Sequence, residues 1–146
     1  NYDIRSKVEH GNKLRTFRKF KLDFEHEQYL DVVKNPTVRK EITKFRLSAH
    51  ELNIEMGRRT NVKLEDRLCT KCAFKEIEDE SHFLFTCTLY NNERNKLFKI
   101  ILDKSKNFKQ LSIDDQLCWL LSNKDVVIVH AVAQYIHNAM EKRRQY

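Results

Sequence analysis

The chain has 146 residues, of which 40% are hydrophobic and 34% are charged, and its formal net charge is +7. This size and composition predict one globular domain and exclude a disordered chain. Two glycines and one proline are too few for an all-β fold with many tight turns. No apolar run approaches the roughly 20 residues that a membrane span needs.

The N-terminal part gives the weakest structural signals. Residues 1–12 are polar and are expected to form a linker or frayed entry, ahead of a domain over residues 13–146. Residues 13–24 first have helical and then alternating apolar spacing, which predicts a short helix followed by an extended segment. Residues 26–33 predict a second short helix, and Pro36 begins the next element. The chain begins without Met and without a signal-peptide pattern, so we expect part of a longer intracellular protein, nuclear or cytoplasmic.

A regular amphipathic helix is predicted over residues 37–52. Its apolar stripe consists of Val38, Ile42, Phe45, Ala49 and Leu52. Arg39, Arg46 and His50 flank this stripe, whereas Leu47 points outward and is a candidate contact residue. Gly57 is expected to form a turn after this helix.

Three more helices are predicted in the second half. One covers residues 90–102, one begins after an N-cap at Ser112, and the last begins at Asp125 and ends in the basic residues 142–144. The fold class is therefore mostly α, a single small helical domain.

The most informative motif is C-x2-C-x9-H-x4-C, in residues 69–87. Two thiolates two residues apart converge from one turn, and thiolate and imidazole suit Zn²⁺, which takes four tetrahedral ligands. The four ligands are Cys69, Cys72, His82 and Cys87. This set has no open position for catalysis, so we expect the zinc ion to organise the fold. Cys118 is an alternative fourth ligand in place of His82.

The spacing between His82 and Cys87 constrains the local structure. Five residues correspond to about 140° on an α-helix, so the two side chains cannot share one helical face. We therefore expect a short helix that begins near Glu80, carries His82 and ends before Cys87. The acidic residues 78–80 favour a helix N-terminus at this point.

Other chemistry has weaker support, and no enzymatic activity is expected. The sequence has no glycine-rich phosphate loop. Cys118 with His130 resembles a thiol dyad, but the spacing fits neighbouring core helices equally well. Asp114 and Asp115 are better explained as first-turn helix residues than as a nuclease site. The isolated histidines are expected at the surface; they are His10, His26 and His50.

The positive charge is concentrated in the first half of the chain. Up to residue 72 there are 17 Lys and Arg against 11 Asp and Glu, and afterwards 11 against 10. This predicts nucleic acid, RNA or DNA, as the partner, with no membrane and no small-molecule substrate. The candidate phosphate-contacting residues are Arg39, Lys40, Lys44, Arg46, Arg58, Arg59, Lys63, Arg67 and Lys71. A protein-docking module is the alternative.

Three stretches of the sequence resemble a known protein family. They are residues 45–58 (FRLSAHELNIEMGR), 65–72 (EDRLCTKC) and 77–87 (IEDESHFLFTC). Together they resemble the zinc-binding region downstream of the reverse transcriptase in LINE-type (non-LTR) retrotransposon polyproteins. The likeness is clearest over residues 39–94, although Thr88 stands where the family often has proline. The resemblance implies a zinc-stabilised module that holds RNA or target DNA while a separate domain copies it.

Overall fold

The computed structural model describes residue 14, residues 16–21 and residues 25–146. The predicted linker over residues 1–12 and the end of the predicted extended segment lie outside them. Within the described part, the chain forms seven α-helices. They are α1 (Phe17–Phe20), α2 (Tyr29–Val32), α3 (Pro36–Arg46), α4 (Asn53–Arg59), α5 (Asn91–Lys104), α6 (Ile113–Ser122) and α7 (Val126–Gln145).

Helix α7 is the centre of the domain. It packs against α2, α3, α5 and α6, and α1 packs against α6. The apolar residues Ile128, Val132 and Ile136 are at most 1% exposed, because their four-residue spacing places them on one helical face. The described residues contain one isolated β-bridge and no strand. The mostly α, single-domain fold predicted from the sequence is therefore confirmed.

Side chains cap three of the helix starts, including those predicted at Ser112 and Asp125. The side chain of Asn35 accepts hydrogen bonds from the backbone N–H groups of Thr37 and Val38, directly before α3. Ser112 accepts one from Asp115 at 3.1 Å, and Asp125 accepts one from Val127 at 2.9 Å. Each cap satisfies N–H groups that have no partner within the helix.

The prediction of one helix over residues 37–52 is wrong. Helix α3 ends at Arg46, and two residues later Ser48 adopts a left-handed backbone conformation with φ of 53°. The N–H of Ala49 donates to the carbonyl of Lys44 at 2.8 Å and that of Ser48 to the carbonyl of Phe45 at 3.4 Å. This is a Schellman ending without its usual glycine, so the sequence gives little sign of it.

The expected turn at Gly57 is also wrong, because Gly57 lies inside α4. A Cβ atom there would be only 2.5 Å from Cγ of Arg67. Arg67 crosses over the glycine and donates to the carbonyls of Ile54 and Val62, both at 3.0 Å. The glycine is therefore required for a close approach.

An aromatic cluster joins the helices to the cysteine-rich segment. The ring of Phe83 is fully buried and lies 5.5 Å from Phe45 of α3, 4.8 Å from Tyr90 and 5.6 Å from Tyr135 of α7, measured between centroids. Aromatic pairs at these distances combine burial with favourable ring contacts. The segment that carries the predicted ligands is thus part of the core. No helix in the described part of the chain is both long and apolar enough to cross a membrane.

Candidate metal centre

The first two cysteines lie in a hairpin-like segment, residues 67–78, which we call the metal loop. Leu68 and Ile77 form an antiparallel bridge. The N–H of Cys69 donates to the carbonyl of Glu76 at 2.8 Å, and that of Glu78 to Arg67 at 3.0 Å. These backbone bonds hold both ends of the loop together and place Cys69 and Cys72 on its inner side, towards His82.

The other two candidate ligands lie at the two ends of a π-helical turn, His82–Thr86: His82 is its first residue, and Cys87 follows it directly. The N–H of Cys87 donates to the carbonyl of His82 at 2.8 Å, which is an i to i+5 bond, and the backbone becomes extended at Cys87. This agrees with the prediction of a short helical segment that carries His82 and ends before Cys87. The wider turn accommodates the five-residue spacing that an α-helix cannot.

The four predicted ligands converge. Sγ of Cys69, Cys72 and Cys87 and a ring nitrogen of His82 all lie within 4.8 Å of one another. The Cys69 and Cys87 sulfurs are 3.9 Å apart, and the Cys72 sulfur is 3.4 Å from Nε2 of His82. Zinc–sulfur and zinc–nitrogen bond lengths in a tetrahedron give about 3.8 Å and about 3.5 Å for these separations. The arrangement can therefore hold a metal ion.

Cys118, the alternative fourth ligand, does not belong to this group. It is half-buried on α6, where its thiol donates to the carbonyl of Lys19 at 3.4 Å. His82 is the fourth member, as the motif predicts.

The orientation of His82 is set by two neighbours. Its Nδ1 lies 2.9 Å from a carboxylate oxygen of Glu76 and 2.8 Å from the hydroxyl of Thr86. A proton on Nδ1, donated to Glu76, leaves the Nε2 lone pair directed at the sulfurs. The role of Glu76 was not predicted from the sequence, although a carboxylate between a Cys-x2-Cys pair and a histidine is a candidate partner for that histidine.

The sulfur atoms are in an environment that disfavours thiolates. Burial raises the pKa of Cys69, and burial together with the neighbouring sulfurs raises the pKa of Cys87 to about 12. A divalent cation among the sulfurs opposes this effect, because its positive charge stabilises thiolates that are no longer solvated by water.

The acidic residues 78–80 have separate roles. Asp79 caps the helical segment by accepting from the N–H of His82 at 2.8 Å, as predicted for a helix N-terminus. Glu78, which is 1% exposed, instead pairs with Arg143 of α7 at 2.7 Å and accepts from the N–H of Asn53 at 2.7 Å. It thereby ties the metal loop to α4 and α7.

Glu80 forms a second buried pair with His50, whose Nε2 is 2.7 Å from the carboxylate. His50 is only 2% exposed, so the prediction that it lies at the surface is wrong, whereas His26 is exposed and His10 lies outside the described residues. The N–H of Leu52 donates to Nδ1 of His50 at 3.3 Å. The imidazole therefore links the segment after α3 to the metal centre.

Arg94 of α5 holds the π turn from the opposite side, and its role was not predicted. Its guanidinium donates to the carbonyls of Leu84 at 2.8 Å and Cys87 at 2.7 Å, and the residue is 8% exposed. The hydroxyl of Tyr135 donates to the carbonyl of Phe83 at 2.5 Å. These donors satisfy buried carbonyl groups at the end of the turn.

The candidate phosphate-contacting residues fall into different environments. Arg46 is buried: its guanidinium lies over the rings of Phe20 and Tyr29, pairs with Glu27 at 2.9 Å and donates to the carbonyl of Leu121. Its proposed phosphate contact is therefore wrong, because the charge is used inside the protein. Of the other candidates, Lys40, Arg59 and Lys63 are exposed, whereas Arg39, Lys44, Arg58, Arg67 and Lys71 are half-buried.

Several half-buried cations also have internal partners. Arg58 pairs with Glu55 at 2.8 Å, and Lys71 donates to the carbonyl of Tyr146. Arg67 is held by the two carbonyl groups described above. The basic sequence pattern therefore contains both structural and solvent-facing cations.

The remaining candidates have ordinary surface environments. Asp114 pairs with Lys19 at 3.2 Å in the first turn of α6, and His130 is exposed on α7. Leu47 is 36% exposed, as its outward position predicted.

These features define a small helical domain with a closed group of three cysteines and one histidine that can hold a metal ion. No family model, curated protein or solved structure matches the chain.

Proposed function

We propose that this domain is a zinc-stabilised module that binds RNA or single-stranded DNA and performs no catalysis itself. The observation that carries the proposal is the convergence of three sulfurs and one imidazole nitrogen within 4.8 Å. Thiolate and imidazole ligands at tetrahedral separations are typical of zinc. All four positions are filled by protein, which is the pattern of a structural ion rather than a catalytic one.

The exposed cations support nucleic acid as the ligand. Lys40, Arg59 and Lys63 remain exposed after Arg46 is removed from the predicted set. Cations of this kind contact phosphates without reading sequence, and each contact that is made releases counterions. The resemblance to the LINE-type zinc region favours the same ligand class. In that setting the module, within a retrotransposon polyprotein or a protein derived from one, holds nucleic acid inside the cell during reverse transcription.

Zinc content and salt-dependent binding test the proposal together. The purified chain should contain one zinc per molecule, and its affinity for single-stranded RNA should fall steeply with salt. Replacing Lys40, Arg59 and Lys63 together by Ala should reduce the slope of log K against log salt by about two.

A matched control carries the same change in net charge at exposed lysines elsewhere. It replaces Lys96, Lys99 and Lys106 by Ala, and its slope should stay close to that of the unmodified chain. A chain that binds no nucleic acid, or that binds equally at low and high salt, would refute the nucleic-acid function even if zinc is present.

Protein docking is a second candidate, favoured by the exposed Leu47 at the end of α3. Its partner would be another part of the parent polyprotein. A complex with that partner that persists after nuclease treatment and is lost in Leu47→Lys would favour docking.

A further inference from the structure

An exposed aromatic ring lies in the metal loop. Phe74, two residues after Cys72, is 54% exposed and lies outside the hydrophobic core of the described residues. Backbone hydrogen bonds close the base of the loop, and a metal ion held by Cys69 and Cys72 would fix it further. The ring is therefore presented to solvent from a loop that is closed at its base.

Two lysines flank this ring. Lys75 is exposed and has a left-handed backbone with φ of 51°, so the chain turns sharply next to Phe74. Lys71 donates one hydrogen bond to the carbonyl of Tyr146, whose own side chain is 70% exposed. An ammonium group has three donors, so two remain for a ligand.

Two of the nearby acidic residues lie inside the protein. Glu78 and Glu80 are buried and paired with Arg143 and His50. Glu76 is exposed on the loop, but its carboxylate is oriented towards His82. The loop thus carries an exposed aromatic side chain next to the exposed Lys75, with the half-buried Lys71 three residues before the ring, and this combination complements a polyanion that carries planar bases.

From this arrangement we infer that Phe74 stacks on a base of single-stranded nucleic acid, while Lys71 and Lys75 contact the adjacent phosphates. The inference rests on the proposed nucleic-acid function and adds to it a specific contact site. Stacking needs an unpaired base, because the faces of bases in a duplex are covered. The site therefore selects single strands over duplex without reading sequence.

Two substitutions at Phe74 separate stacking from general apolar contact. Phe74→Leu keeps an apolar side chain but removes the π face, so binding to a single-stranded RNA oligonucleotide should become about five- to a hundredfold weaker. Phe74→Trp should retain or improve the affinity. Because Phe74→Leu removes no charge, its salt slope should be unchanged, whereas Lys75→Ala should reduce the slope by about 0.7.

The matched control is Leu64→Ala, at another exposed apolar residue with 51% exposure, which should leave RNA affinity unchanged. An oligonucleotide with abasic sites in place of bases should bind the unmodified chain and Phe74→Leu equally well. Zinc content and far-ultraviolet circular dichroism confirm that each variant is folded.

The outcomes distinguish this inference from the proposed function. If the unmodified chain binds RNA with a steep salt dependence but Phe74→Leu binds as tightly, the stacking inference fails and the proposed function stands. If the unmodified chain binds no RNA, both fail. If Phe74→Leu instead binds RNA normally and loses a protein partner, the loop is a protein-docking site.

Discussion

Replacing Arg94 by Met should strongly destabilise the domain, even though Arg94 is not a metal ligand. Methionine keeps much of the apolar stem but removes the donors to the carbonyls of Leu84 and Cys87, which are 2.8 and 2.7 Å from the guanidinium. A hydrogen bond from a charged donor contributes about 1.5–3 kcal/mol. The two bonds together therefore account for about 3–6 kcal/mol.

One effect opposes this loss. A buried guanidinium is costly to desolvate, and its removal recovers part of that cost. We therefore expect a net loss of about 2–4 kcal/mol in the free energy of unfolding. A domain of this kind is stable by only about 5–15 kcal/mol in total. Urea unfolding, followed by far-ultraviolet circular dichroism at a fixed free zinc concentration, measures this change directly.

Arg144→Met is the matched control, because Arg144 is 36% exposed and pairs with Glu41 and Glu51 on the surface. An ion pair at the surface contributes about 0–1 kcal/mol, so the loss of both pairs should cost at most about 2 kcal/mol. If Arg94→Met loses no more than Arg144→Met, the carbonyl groups of the π turn do not depend on Arg94. Our account of how α5 holds the metal centre would then be wrong.

Three further outcomes are expected. Removing zinc with a chelator should lower the melting temperature of the domain by at least about 15 °C, because structural zinc contributes on the order of 10 kcal/mol to folding. Adding zinc back should restore the melting temperature. An unchanged melting curve would exclude a structural ion. Cys72→Ser should bind zinc more weakly by competition with a colorimetric chelator, whereas Cys118→Ser should retain one tightly bound ion. Gly57→Ala should lower the free energy of unfolding, measured by thermal unfolding, by about 1–2 kcal/mol, because the Cβ of the new alanine would collide with Arg67. In an Arg67→Ala background the same substitution should cause no loss of stability.

The features that the sequence predicts well are those encoded by neighbouring residues. The four ligands lie within 19 residues of one another, and helix caps such as Ser112 and Asp125 act on N–H groups two or three positions away. The turn between His82 and Cys87 follows from spacing alone. Such signals need no knowledge of the tertiary structure.

The features that it does not predict depend on distant partners. Glu78 and Arg143 are 65 residues apart, and His50 and Glu80 are 30 apart. A charged residue is normally exposed, so local reasoning places these side chains at the surface. The end of α3 was missed for a related reason. Ser48, which is fully buried, adopts a left-handed conformation at a position where the sequence has no glycine.

The burial of Arg46, Ser48, His50 and Glu55 changes how the first resemblance motif should be interpreted. All four are at most 5% exposed, and they lie in the segment that ends α3 and begins α4. Arg46 donates to the carbonyl of Leu121 at the end of α6, His50 pairs with Glu80 near His82, and Glu55 pairs with Arg58. A motif of this kind specifies how the helices are joined to the metal centre. Under the proposed function, the residues that contact nucleic acid should therefore lie outside this motif, among exposed side chains. Phe74, Lys75, Lys40 and Lys63 are exposed in this way.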